Sequence, residues 1–143
     1  MSQSDMPVIV PGIVRFESGP SAGSILLGGV CVDCKHRYFP QPIICPDCFG
    51  KVEQTELGSR GIIYSYTVVR TKPPLGLPRP YAVGYIDLED SMLRVFSLFD
   101  PGQIDLLQIG RTVRLACGPL GEDGRGNTRL RPYFTITDGG ENT

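Results

Sequence analysis

Two C-x-x-C pairs, Cys31/Cys34 and Cys45/Cys48, lie inside the stretch 31–48, which reads CVDCKHRYFPQPIICPDC. Four of the chain's five cysteines are here. Within each pair a tight turn points two sulfurs at one centre, and a spacer of ten residues lets the chain fold back and set the second pair opposite the first. A short β-hairpin spans such a spacer. Cys31, Cys34, Cys45 and Cys48 therefore form a candidate tetrahedral thiolate site, and one structural zinc ion is the expected occupant. The same four thiolates also suit iron in a rubredoxin-like site, and disulfide pairing is a third reading. A catalytic zinc is disfavoured, because four thiolates close the coordination shell against water and substrate. His36, the single histidine, is expected beside the sulfurs as a supporting residue, together with Tyr38 and Phe39.

At 143 residues the chain has room for a small metal module and one compact domain. Gly 18 and Pro 13 favour short strands joined by turns over long helices. The formal net charge of −1, with no polybasic run, lacks the electrostatic footprint of a nucleic-acid binder. No apolar stretch approaches the roughly 20 residues of a membrane span, and the first residues, MSQSDMPVIVPG, do not read as a targeting segment. The expectation is a cytoplasmic protein that binds neither nucleic acid nor membrane.

The expected organisation is an extended lead-in or partner-binding arm over 1–24, a zinc ribbon over 25–57, a β-barrel over 58–138 and a frayed tail over 139–143. Runs rich in β-branched and aromatic residues predict strands at 62–71, 81–88, 92–99, 111–117 and 128–137, with a helical turn at 103–108. Five short strands with a brief helix before the fourth suit an OB-type barrel, which removes exposed sheet edges; an open β-sandwich is the alternative. On the fourth strand Val113, Leu115 and Cys117 share the apolar face, so Cys117 is expected to be buried and inert.

No arrangement of nucleophile, base and acid stands out, since the only histidine lies in the metal module. GEDGRGN (121–127) lacks the spacing of a phosphate loop and reads as a hairpin, with Arg125, Arg129 and Arg131 placed to meet a phosphate-bearing ligand. KPPLGLPRP (72–80) is a proline-stiffened loop that offers Leu75 and Leu77 either to its own barrel or to a partner at low ordering cost. Tyr64, Tyr66, Tyr81, Tyr85 and Tyr133 supply stacking surfaces for a single-strand-binding reading, although strand alternation is expected to bury many of these rings.

The paired C-x-x-C motifs, YFPQPIICPDC, GSRGIIYSYTVVR, PRPYAVGYIDLED and IGRTVRL follow one another in an order that resembles the zinc-ribbon/OB-fold family of acyl-CoA-associated accessory proteins. The resemblance covers roughly 25–137, and the four cysteines match the family's metal ligands one for one. It departs at the front, where Pro11, Gly12 and a Gly/Ser link replace the usual helix, and at Cys48-Phe49-Gly50, where Cys-Gly is commoner. The resemblance implies a zinc-binding subunit without catalytic residues, paired in a hetero-oligomer with a thiolase-fold enzyme that acts on CoA thioesters. A free-standing nucleic-acid-binding OB protein and a rubredoxin-like electron carrier are the competing readings.

Overall fold

A computed structural model describes residues 13–16, 24–71, 76–122 and 125–137. The fold is mostly β. The first sheet is built on β2 (Ser24–Cys31), which pairs antiparallel with β1 (Val14–Phe16), β3 (Arg37–Tyr38) and β4 (Val52–Gly58). β2 carries Gly28-Gly29 at its middle, where added side chains would collide with the β3 backbone and with Val52. The bare backbone lets the hairpin containing β3 lie close against β2. Arg15 on β1 forms an ion pair with Glu56 on β4.

The second sheet runs in the order β7 (Arg94–Leu98), β6 (Tyr81–Leu88), β5 (Arg60–Val69), β8 (Thr112–Glu122), β9 (Thr128–Ile136). All its pairings are antiparallel. A parallel bridge between Phe99, just past β7, and Phe134 on β9 curls the sheet back on itself, and the Asp100 amide donates to the Phe134 carbonyl at 2.9 Å. Strand order, parallel closure and the 3-10 helix Pro101–Leu106 between β7 and β8 give the OB topology, not the open sandwich. Asp100 caps that helix by accepting from the Gly102 amide at 2.9 Å.

Alternation sets the barrel core. Ile63, Ile86, Leu88, Val113, Leu115 and Phe134 are almost fully buried, and so are Leu26 and Leu57 from the first sheet. The outer ends of β2 and β4 thus root the ribbon in the barrel core. Gly84 on β6 is required by close approach: a Cβ there would sit on the Ser65 carbonyl and 2.7 Å from the Tyr66 Cα.

Three expectations change. The expected helical turn at 103–108 begins earlier, at Pro101, because proline suits a first helical position. β8 runs on to Glu122, past the expected end at Cys117, with a register shift between Pro119 and Glu122 that accommodates a proline unable to donate to the ladder. Phe39, expected beside the sulfurs, packs instead against the barrel core, one residue beyond β3. Most of the lead-in and the tail, 1–12, 17–23 and 138–143, lie outside the described residues.

Candidate metal centre

The two C-x-x-C turns are near copies. Cys31-Val32-Asp33-Cys34-Lys35-His36 and Cys45-Pro46-Asp47-Cys48-Phe49-Gly50 both read C-x-D-C. In the first, the Lys35 amide donates to the Cys31 carbonyl at 3.0 Å and the Cys31 amide to the His36 carbonyl at 2.9 Å. In the second, the Phe49 amide donates to the Cys45 carbonyl at 2.8 Å and the Cys45 amide to the Gly50 carbonyl at 3.0 Å. The residue after each second cysteine is left-handed, φ 68° at Lys35 and 62° at Phe49. An Ile44–Lys51 bridge and a bond from the Val32 amide to the Lys51 carbonyl (3.0 Å) lock the two turns together.

This scaffold gathers the four sulfurs within 4.8 Å of one another. Cys31 and Cys48 Sγ are 3.4 Å apart, Cys34 and Cys45 Sγ 3.6 Å. A tetrahedron with Zn–S near 2.3 Å has edges of about 3.8 Å, so the spacing fits zinc. Charge points the same way. The Cys45 thiol is pulled down to about 6, first by the Tyr38 hydroxyl and then, against its burial, by the Cys48 and Asp47 amides. Cys48, despite the Gly50 amide that favours its thiolate, is pushed up to about 12 by the Cys31 thiol and by burial. Four negative sulfurs this close oppose one another's ionisation, and a central divalent cation removes that conflict. Once bound, zinc supplies a fixed four-way cross-link, with no open position for chemistry.

Around the sulfurs, His36 Nδ1 lies 2.8 Å from Asp47 Oδ2 and 3.5 Å from Cys34 Sγ. The Tyr38 hydroxyl sits between Cys45 Sγ at 3.2 Å and Asp47 Oδ2 at 3.0 Å. Asp47 therefore ties both rings to the site, a role that the repeated C-x-D-C pattern could have signalled. Gly50 is pressed against the centre: a Cβ there would lie 3.2 Å from both Cys31 and Cys48 Sγ and 2.5 Å from Asp33 Oδ2.

The remaining candidate residues scatter. Leu77 is half-buried, whereas Leu75 lies outside the described residues. Arg125 is exposed in the β8–β9 turn and Arg129 half-buried on β9; Arg131 donates to the Glu122 carbonyl at 2.6 Å. Arg131 also lines a cavity of 260 Å³ between ribbon and barrel, beside Leu26, Phe39 and Phe96. Cys117 is buried as expected, and burial pushes its thiol up to about 11.

Two exposed apolar surfaces stand out. At the ribbon tip, Ile43, Ile44 and Phe49 are 96%, 45% and 75% exposed. On the outer face of β5–β7, Tyr64, Tyr85 and Phe96 are exposed, and Tyr66, set opposite Gly84 past the bulge in β5, is 37% exposed, against the expectation that alternation buries many of the rings. Tyr85 and Phe96 pack edge to face at 5.1 Å, and the Arg94 guanidinium, paired with Asp87, covers Tyr64 at 3.3 Å from the ring centre. Among the described residues, no helix is long and apolar enough to cross a membrane.

Residues 24–53 match the family described as "ChsH2, rubredoxin-like zinc ribbon domain", and residues 54–118 "ChsH2, C-terminal OB-fold domain". A DUF35 domain-containing scaffold protein of Methanothermobacter thermautotrophicus is 33% identical over 102 residues, 69% of this chain and 76% of that protein. The benzoylsuccinyl-CoA thiolase subunit BbsA of Thauera aromatica is 37% identical over 109 residues, 76% of this chain and 73% of that protein. The solved Ltp2-ChsH2(DUF35) aldolase superposes with a TM-score of 0.63 at 25% identity, over 79% of this chain and 85% of that one. The thiolate ribbon, the OB barrel and these matches together place the chain in the ChsH2-type zinc-ribbon/OB-fold family, also called DUF35.

Proposed function

We propose that this chain is the non-catalytic, zinc-bearing subunit of a hetero-oligomeric enzyme whose thiolase-fold partner acts on CoA thioesters. The observation that carries the reading is the ribbon tip. Ile43, Ile44 and Phe49 project from a turn that has almost no core of its own and is braced by Cys31, Cys34, Cys45 and Cys48 around one structural zinc. Phe49 occupies a left-handed position at φ 62°, which disfavours any side chain with a Cβ. Its counterpart in the first turn is the solvated Lys35. A strained, exposed phenyl ring on a rigid support suits an anchor for an apolar pocket on a partner.

The relatives support the same role, since they are named as a scaffold protein, a thiolase subunit and part of an aldolase. In this reading the partner supplies the nucleophile and the acid-base groups. Leu77, and Leu75 with it, add a second docking point, and the barrel borders the acyl-CoA entrance, with Arg125, Arg129 and Arg131 as candidate phosphate contacts. Within the family the narrower proposal is thiolysis of 2-benzoylsuccinyl-CoA to benzoyl-CoA and succinyl-CoA in anaerobic, cytoplasmic toluene degradation, by likeness to BbsA. The test is reconstitution with the thiolase-like protein from the same cell. Thiolysis of a β-keto acyl-CoA by the mixture, and by neither part alone, is the expected result; full activity of the partner by itself would remove the proposed role.

A further inference from the structure

The two C-x-D-C turns share their backbone hydrogen bonds and their left-handed residue, yet they shield their second cysteines unequally. Two positions after Cys34 stands His36, whose Nδ1 lies 3.5 Å from the Cys34 Sγ. Two positions after Cys48 stands Gly50, which has no side chain to lay over the sulfur. Crowding excludes one there, since a Cβ on Gly50 would lie 2.5 Å from Asp33 Oδ2 and 3.2 Å from the Cys31 and Cys48 sulfurs. Burial follows the same division. Cys31 and Cys45 are fully buried, Cys34 is half-buried and Cys48 is exposed. Hydrogen bonding follows it too. Cys45 Sγ takes the Tyr38 hydroxyl at 3.2 Å and the Asp47 and Cys48 amides. Cys31 Sγ takes the Cys34 amide at 3.5 Å and the Asp33 amide. Outside the four sulfurs, Cys48 is served among the described residues by the Gly50 amide.

A hydrogen bond to a thiolate draws charge from the sulfur, and burial keeps reagents away from it, so both lower its reactivity. We propose that Cys48 is the corner at which this centre is chemically opened, taking neutral electrophiles and hydroperoxides before any other sulfur. Asp33 sets the preference for neutral reagents, because its carboxylate faces the same gap over Gly50 and repels anions. With hydrogen peroxide, the Cys48 thiolate attacks one oxygen and the O–O bond breaks. The departing hydroxide takes a proton from solvent. The Cys31 thiolate, whose Sγ is 3.4 Å away, then attacks the sulfenic sulfur; the S–S bond forms, the S–O bond breaks, and a second hydroxide is protonated. Two thiolates lose two electrons and one peroxide becomes two waters. A centre left with two thiolates no longer holds zinc tightly, so metal release reports the reaction. Cys48 immediately precedes Phe49, so a partner seated on the ribbon tip would also cover this sulfur. That consequence rests on the subunit reading; the order of attack on the free chain does not.

The test is alkylation of the zinc-loaded full chain by substoichiometric iodoacetamide, in which a sulfur–carbon bond forms as iodide leaves with its electron pair. Peptide mass mapping of the singly modified protein identifies the cysteine, and a chromogenic chelator follows the metal in parallel. Cys48 is expected to carry the label at least about fivefold more often than any other cysteine, with zinc released in step. First labelling of another cysteine, equal labelling of the four, or zinc release before any labelling would each overturn the proposal. H36G gives the first turn the shape of the second. In H36G protein with full metal content, Cys34 labelling should rise about threefold or more; unchanged labelling would overturn side-chain cover as the reason that Cys48 reacts first. Equimolar hydrogen peroxide should give a Cys31–Cys48 disulfide, and a disulfide that leaves out Cys48 would contradict the assignment. None of these outcomes bears on whether the chain travels with a thiolase-like subunit, which mass measurement decides separately.

Discussion

In the ribbon the fully buried side chains around the centre are Cys31 and Cys45, with Val52 beside them, whereas the barrel buries Ile63, Ile86, Leu88, Phe99, Val113, Leu115 and Phe134 in one cluster. Burial of that many large side chains supports a small barrel; two cysteines and a valine do not support twenty residues of hairpin. The ribbon must take its rigidity from metal coordination at one end and from Leu26 and Leu57, planted in the barrel core, at the other. One part of the molecule is held by solvent exclusion and the other by a cross-link, and the exposed apolar tip sits on the cross-linked part.

The largest expected effect is metal removal. A chelator, or C45S, should strip hydrogen-exchange protection from 31–51 while β5, β6 and β8 stay protected, because the metal contributes on the order of 10 kcal/mol to folding of such small sites. Loss of protection throughout the barrel at the same chelator concentration would mean that the two parts form one cooperative unit. The converse is F134A, which leaves a cavity at a residue only 1% exposed. It should cost about 3–5 kcal/mol in denaturant unfolding, with the metal content of the folded fraction unchanged.

G50A comes next in size. Its Cβ would press on Cys31 and Cys48 Sγ at 3.2 Å, so metal should be lost at about tenfold lower competing chelator, with no change in the barrel's unfolding midpoint. Unaltered metal retention would show that the centre yields more readily than its packing implies. The smallest effects compare the two turns. F49G and K35G each relieve a left-handed residue and should stabilise the ribbon by up to about 1 kcal/mol. Only F49G should weaken binding to the catalytic partner, by tenfold or more; equal affinities for the two variants would remove Phe49 as an anchor.

The metal centre was legible because thiolate chemistry demands a fixed spacing, and C-x-x-C repeated across ten residues satisfies it in any fold. The barrel was legible from strand alternation, which placed Val113, Leu115 and Cys117 inside as read. What escaped depended on tertiary approach. Phe39 lies next to the hairpin's short strand, yet it packs on the barrel because β2 carries the hairpin over the barrel mouth. Tyr64 and Tyr85 stay exposed by plain alternation, next to the buried Ile63 and Ile86, whereas the bulge between Ile63 and Ser65 sets Tyr66 opposite Gly84, and no composition rule reveals a bulge. The pairing of Arg60 on β5 with Arg114 on β8 is a matter of register between positions 54 residues apart, visible only once the ladder is known.

The central claim, that this chain works as a docked subunit, is tested most directly by native mass spectrometry of the protein drawn gently from its own cell. The account predicts a hetero-oligomer containing a thiolase-like chain, which falls apart when zinc is chelated. A lone species of about 15.6 kDa, with no such companion, would contradict it.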